Sequence, residues 1–188
     1  MATIIFDFDD TLFKTHNLKK TIFAKMESLG ITLEIIKNTY EISKKKFKHY
    51  TPDNHISTIN EIGVFNIGEK QAREINAIDF SSHKIDEVHN ILFGLSQKHH
   101  LILLTIGDKD FQKLKIHKSG LHSLFHEIHI INDKKEDFIS NQNFTDDVYF
   151  INDKESENKI IRKMFPNIKV IDFDIKNQGS LNRLPIIF

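Results

Sequence analysis

At 188 residues, with 26 Lys plus Arg set against 26 Asp plus Glu, the chain is long enough for one domain with a substantial core, or for a core carrying a smaller inserted module. It is too short for two large domains. The zero formal net charge gives no global reason to expect nucleic acid or an anionic membrane as a partner, and the absence of cysteine excludes disulfides, thiolate metal sites and a cysteine nucleophile.

The amino terminus enters an apolar run directly, without a basic segment or a signal core, and no apolar stretch approaches the ~20 residues needed to span a bilayer. A soluble, cytoplasmic protein is expected. That first run, Ile4-Ile5-Phe6, breaks into Asp7-Phe8-Asp9-Asp10-Thr11. Apolar residues with no polar alternation suggest a strand covered on both faces, as in a parallel sheet flanked by helices. Ligands of such sheets bind outside the carboxyl ends of the strands, where Asp7 and Asp9 would sit. Close carboxylates repel, and a divalent cation offsets that repulsion; oxygen-only ligands suit magnesium. Taken alone, an Asp-x-Asp is as well explained by a strand end running into a turn.

Beyond Phe13 the pattern turns helical. Leu18, Ile22, Phe23, Met26 and Leu29 recur at three- and four-residue spacings up to Gly30, a good helix end. A helix over about 32–48 ends in Lys44, Lys45, Lys46 and Lys48, which reads as a solvated, dipole-matched terminus. Two more helical stretches, from Pro52 to near Gly63 and from Gly68 to Ile78, complete an insertion with no strand. From Ser82 helices alternate with strands: a helix near 83–98, Leu101 to Thr105, a helix with Phe111, Leu114 and Leu121 as its apolar residues, Glu127 to Ile131, a short helix after Lys134 and Lys135, Val148 to Ile151, a helix to Phe165, and Ile168 to Ile171. Such alternation implies right-handed crossovers and a parallel sheet. Its polar exits are Asp7 with Asp9, Thr105, Lys134 or Lys135, Asp153 and Asp172. The scattered histidines show no metal-binding spacing and read as surface or boundary residues.

Asp7-Phe8-Asp9-Asp10-Thr11 fits the DxDxT signature of the haloacid dehalogenase-like (HAD) superfamily. Thr105 resembles its second motif, Lys134 or Lys135 its third, and Asp153 with Glu157 its acidic fourth. Thr105-Ile106-Gly107-Asp108 with Gln112, Lys115, Gly120-Leu121 and Phe125 also resembles the TxGD...Q...K...GL...F pattern of phosphatase-like members. The resemblance implies a Rossmann-like, three-layer α/β core with a five-stranded parallel sheet (residues 1–13 and 82–188) and a small all-helical cap (residues 14–81). It implies a magnesium-dependent phosphatase of small phosphorylated metabolites, working through an aspartyl phosphate. By the family pattern Asp7 is the nucleophile, Asp9 the proton carrier, Thr105 and a lysine the phosphate-binding groups, with Lys134 at the more familiar distance from its strand. Magnesium would be held by Asp7, the Asp9 backbone carbonyl and Asp153, with Glu157 nearby or acting through water. Asn152 replaces the usual glycine of the fourth motif, and Glu157 stands where aspartate is commoner. A phosphomutase, or a regulatory protein keeping the fold, are the alternatives. Asp172-Phe173-Asp174 repeats the Asp-x-Asp without a following threonine and receives no role.

Overall fold

The protein is described from a computed structural model that covers residues 1–85 and 87–173. The chain divides into two compact units, Met1–Thr15 with Ser81 onward, and His16–Phe80.

The first unit is built on five parallel strands: β1 (Ala2–Phe6), β2 (His100–Ile106), β3 (Glu127–Ile131), β4 (Asp147–Asn152) and β5 (Ile168–Asp172), in the order β3-β2-β1-β4-β5. The central β1 aligns Ile4 with Leu101 on one side and with Tyr149 on the other. Every residue of β1 is buried, as expected of a strand covered on both faces. On one face Ile5, Ile102, Leu104, Val148 and Phe150 pack with Ile139, Ile161 and Ile168; fully burying each such side chain is worth about 1.5–3 kcal/mol. The chain builds outward from β1 through β2 to β3, then resumes on the opposite side with β4 and β5. The order therefore reverses between β1 and β4, and in open sheets of this kind that reversal is where ligands bind.

Strands are joined through α5 (Val88–Ser96), α6 (Lys109–Lys118), α7 (Lys135–Ser140) and α8 (Glu155–Met164). Two of these helices differ from the sequence reading. The helix expected from about residue 83 starts at Val88, because Ser81–His83 forms a 3₁₀ turn and the next residues pair with the chain leaving β1. Lys84 forms an antiparallel bridge with Phe13, and the Ile85 amide donates to the Leu12 carbonyl at 3.1 Å. In α6 the buried residues are Gln112, Lys115 and Ile116, while Leu114 is 41% exposed. That polar inner face serves the site described below.

The second unit holds most of α1 (Thr15–Ser28), then α2 (Leu33–Lys46), α3 (Pro52–Ile62) and α4 (Glu69–Asn76). Thr51 caps α3 by accepting from the Asn54 amide at 3.0 Å, with Pro52 opening the helix, a position where its missing N–H costs nothing. Among the described residues no helix is long and apolar enough to cross a membrane.

His55 corrects the expectation of surface histidines: it is fully buried in this unit. Its Nε2 lies 3.1 Å from the Ile36 carbonyl and 2.9 Å from Thr39 Oγ1, and its Nδ1 lies 3.3 Å from the Tyr50 hydroxyl. Nε2–H donates to the carbonyl and Nδ1 accepts from the tyrosine, which fixes a neutral ring. Burial pushes its pKa down to about 4, against the hydrogen bond to Ile36. Unfolded histidine binds a proton near pH 6.5, so the unfolded state takes up protons first on acidification. The His55 contribution to stability falls from about pH 6.5 to about pH 4 by about 3 kcal/mol, while the raised pKa of Asp7 acts in the opposite sense over the same range. Between pH 7 and pH 4.5 the urea midpoint of the wild type should therefore fall relative to that of a His55→Gln variant; an equal change in both would assign the acid sensitivity elsewhere.

Candidate active site

Asp7 follows β1 directly, and its amide continues the ladder by donating to the Ile151 carbonyl at 2.9 Å. The chain then wraps around the Phe8 carbonyl, which accepts from the amides of Thr11, Leu12 and Phe13. This turn requires φ 55° at Asp10, a left-handed conformation that aspartate tolerates better than most residues. Asp10 thus shapes the turn. Thr11, fully buried, accepts from the Asp153 amide at 3.1 Å. Its Oγ1 also lies 3.5 Å from Asp7 Oδ2 and 3.3 Å from Asp153 Oδ1. The loops after β1 and β4 are therefore held together by one hydroxyl, a role the sequence reading did not give Thr11.

Of the two candidate lysines, the structure brings Lys135 to the carboxylates and leaves Lys134 exposed at the N-cap of α7. Lys135 is buried, and its Nζ donates to Asp7 Oδ1 at 2.6 Å, to Asn152 Oδ1 at 3.3 Å and meets Glu157 Oε2 at 3.0 Å. The preference for Lys134 followed spacing along the sequence. The helix starts at Lys135, so its side chain turns inward while the preceding residue remains outside.

Asp9 lies beside Asp7 but has its own partners. Its Oδ1 accepts from Lys115 and from Thr15, and its Oδ2 from Gln112 Nε2 at 2.7 Å. Gln112 Nε2 also reaches Thr105 Oγ1 at 3.2 Å and the Ile106 carbonyl at 2.9 Å. Burial opposes the charge on Asp9, but Lys115 and these donors outweigh it and hold the carboxyl below its usual range. Gly107 leaves the space Gln112 occupies: a Cβ there would stand 2.6 Å from Gln112 Nε2. Asp108 caps α6 through the Phe111 amide at 2.9 Å, which sets the helix so that residues four and seven positions on face the site. Gly107→Ala is accordingly expected to displace Gln112 and to cost about 1–3 kcal/mol of overpacking strain. Equilibrium urea unfolding measures it; an unchanged midpoint would mean the amide has room to move.

Asp153 stands at the mouth of the site, exposed. Partial burial of its carboxyl, then the neighbouring Asp10, raises its pKa. The Asp7 pKa is raised to about 6, chiefly by burial, with Asp9 and Asp153 adding to the effect and Lys135 opposing it. Glu157 is differently placed: against burial, Lys135 and Lys154 hold its pKa down, and its oxygens are engaged by Lys135 at 3.0 Å, Lys154 at 2.6 Å and Asn152 Nδ2 at 3.3 Å. Among the described residues no three His, Cys, Asp or Glu side chains are grouped so as to hold a metal ion. Asp7 and Asp153, linked across Thr11 and short of compensating charge, form a two-carboxylate set of the kind magnesium uses when waters and a phosphate complete its shell.

Asn152, in place of the expected glycine, is buried and does structural work. Its Nδ2 donates to Asn158 Oδ1 at 3.0 Å, and Asn158 Nδ2 reaches Asp172 Oδ1 at 2.8 Å. Asp172 in turn accepts from Arg162. The second Asp-x-Asp thus contributes a clasp between β5 and α8; Asp174 lies outside the described residues.

No protein-family model and no curated protein sequence matches this chain. Solved structures do. A protein from Burkholderia xenovorans LB400 assigned as a haloacid dehalogenase-like hydrolase superposes with a TM-score of 0.73 at 16% identity, over 91% of this chain and 83% of that one. One from Thermotoga maritima assigned as a beta-phosphoglucomutase gives 0.67 at 14% identity, over the full length of both chains. A Bacillus subtilis protein assigned as a HAD-hydrolase, bound to magnesium, gives 0.54 at 18% identity, over 81% of this chain and 78% of that one. The fold of this chain is the haloacid dehalogenase-like fold.

Proposed function

We propose that the protein is a magnesium-dependent phosphoric monoester hydrolase, acting on a small phosphorylated metabolite in the cytoplasm through an aspartyl phosphate. The observation that carries this reading is the convergence of Asp7, Asp9, Thr105, Lys135 and Asp153 from the carboxyl ends of β1, β2 and β4 and from the start of α7, which follows β3. Asp7 Oδ1 is taken by Lys135, while among the described residues Oδ2 has only the long 3.5 Å approach of Thr11 and is the oxygen better placed to attack phosphorus. The new bond forms to Asp7 as the bond to the leaving oxygen breaks, and Asp9, ionised in the free protein, relays to that oxygen a proton taken up from the monoanionic phosphate ester. In the second step Asp9 takes a proton from the water that releases phosphate. Thr105 Oγ1 accepts from Gln112, so its own hydrogen is available for a phosphoryl oxygen. Lys135 places a cation beside the nucleophile, and positioned charge dominates phosphoryl transfer.

Asp7, Asp153 and the Asp9 carbonyl would hold magnesium, consistent with a structural neighbour described as bound to it; Glu157 serves Lys135 instead. When bound, the ion neutralises the repulsion between nucleophile and phosphate and orients both. Substrate choice falls to the helical unit His16–Phe80 as a cap, because none of the groups named above belongs to it. A neighbour assigned as a beta-phosphoglucomutase keeps a mutase as the second reading, since it would use the same two aspartates.

The test is a panel of sugar phosphates and nucleoside monophosphates with and without magnesium, with product analysis and acid-trapping of labelled phosphoenzyme. Magnesium-dependent phosphate release with label on the protein is expected. Isomerised phosphosugar without net phosphate would favour the mutase, and binding without any turnover would favour a regulatory protein.

A further inference from the structure

Two buried lysines stand in this site, and they do not share a carboxylate. Lys135 serves Asp7, while Lys115 is 2% exposed and pairs with Asp9. Lys115 lies on the inner face of α6, with its ammonium over the rings of Phe111 at 5.3 Å, Phe8 at 5.7 Å and Phe13 at 6.0 Å. Burying an ammonium among aromatic rings is costly without a fixed anion, and Asp9 is that anion. Gln112, one turn earlier, is 3% exposed, and its Nε2, which carries two hydrogens, has Asp9, Thr105 and the Ile106 carbonyl within hydrogen-bond reach. Three acceptors around that nitrogen settle which way the amide points. Gly107 vacates the space for it, and Asp108 starts the helix at the phase that delivers both side chains. Leu114 is left facing outward as a consequence.

We infer that Lys115 and Gln112 are positioning residues for Asp9, fixing its carboxyl where it meets the leaving oxygen. This rests on the phosphoryl-transfer reading above. In the first half-reaction the Asp7–phosphorus bond forms, the bond to the leaving oxygen breaks, and that oxygen keeps the electron pair and takes a proton that Asp9, ionised beside Lys115 in the free protein, relays from the monoanionic phosphate ester. The resulting Asp9 carboxylate remains between Lys115 and Gln112. The proton matters in proportion to the basicity of the leaving group. An aliphatic alkoxide requires it, whereas a nitrophenolate departs without it. A residue that positions Asp9 therefore affects the two substrate types unequally, and one that merely holds the fold affects them alike.

The experiment measures kcat/KM, which ends at transfer to Asp7, for p-nitrophenyl phosphate, phenyl phosphate and glycerol 3-phosphate with magnesium present. It compares wild type with Lys115→Met, Gln112→Leu and Lys115→Arg. A positioned proton donor is worth about 10²–10⁴-fold. Lys115→Met and Gln112→Leu are expected to lose about 10²-fold on glycerol 3-phosphate and under about threefold on p-nitrophenyl phosphate, with phenyl phosphate between and Lys115→Arg recovering part of the loss. Gln112→Leu keeps the lysine–aspartate pair and stands in if Lys115→Met fails to fold. Equal losses on all three substrates, or a gain on glycerol 3-phosphate, would overturn the assignment while leaving the phosphatase reading intact. A wild type inactive on all three would overturn both.

Discussion

Asp7→Asn is expected to abolish turnover and, in the absence of metal, to give a more stable protein than the wild type. The loss follows from chemistry: an amide oxygen cannot take and release the phosphoryl group, and deleting a nucleophile costs at least about 10⁴-fold in kcat. The gain follows from burial, which sets the Asp7 pKa at about 6 against 3.8 for the free carboxyl, with the charges of Asp9 and Asp153 adding to it and Lys135 only partly opposing it. For a carboxyl with a raised folded pKa, the native state binds the extra proton. The associated stability is complete below pH 3.8 and is lost as pH rises through about 6. At neutral pH the ionised side chain therefore costs about 3 kcal/mol, which asparagine avoids. Thermal melts of both proteins in a chelator at pH 7.5 and pH 4 check this. The variant should melt higher at pH 7.5, and the difference should shrink at pH 4. Added magnesium should raise the wild-type melting temperature more than that of the variant. A variant less stable at pH 7.5 would mean that Lys135 outweighs burial.

Lys135→Met should be the most damaging lysine substitution in the chain, and Lys134→Met should be nearly silent. Lys135 meets three oxygens, those of Asp7, Asn152 and Glu157, in a pocket where it is 3% exposed. Removing one partner of a buried ion pair leaves uncompensated charge and costs about 3–5 kcal/mol. Here Asp7 loses its cation and Glu157 one of its two, Lys154 remaining, and under the proposed function a phosphoryl group would lose the cation beside the nucleophile. Lys134 is exposed, and surface changes of that kind fall within about 0.5 kcal/mol. Chemical denaturation and phosphatase assays on the two variants separate them at once. Equal effects would mean that either lysine can reach the carboxylates.

Much of this was legible from residue types and order. Uninterrupted apolar runs ending in acid marked β1 and β4, because a strand buried on both faces has no polar alternation to confuse with a helix. The boundaries of the helices in residues 16–80 were read from Gly30, Pro52, Gly63 and Gly68, whose conformational preferences are local. What escaped was set by tertiary demand. Gln112 and Lys115 are named through the resemblance but given no role, because nothing in the sequence says that Asp9, more than a hundred residues away, needs donors. The same holds for Asn152, whose departure from the usual glycine becomes intelligible only through Lys135 and Asn158. Lys134 and Lys135 differ by one step of backbone, and only the position where α7 begins decides between them.

The pairing of the chain at Leu12–Lys14 with His83–Ile85 has a consequence for how this protein can change. The Lys14 amide donates to the His83 carbonyl at 2.6 Å and the Ile85 amide to the Leu12 carbonyl at 3.1 Å, so the chain departs and returns through one stitched doorway. For the sheet, everything between behaves as a single long loop whose ends are already fastened, and loop-closure entropy grows only with the logarithm of length. Helices can be lengthened, traded or lost beyond that doorway at little thermodynamic cost to the register of β1 against β2. Under the proposed function, variation in substrate recognition can accumulate there while the carboxylates at the ends of the strands keep their places.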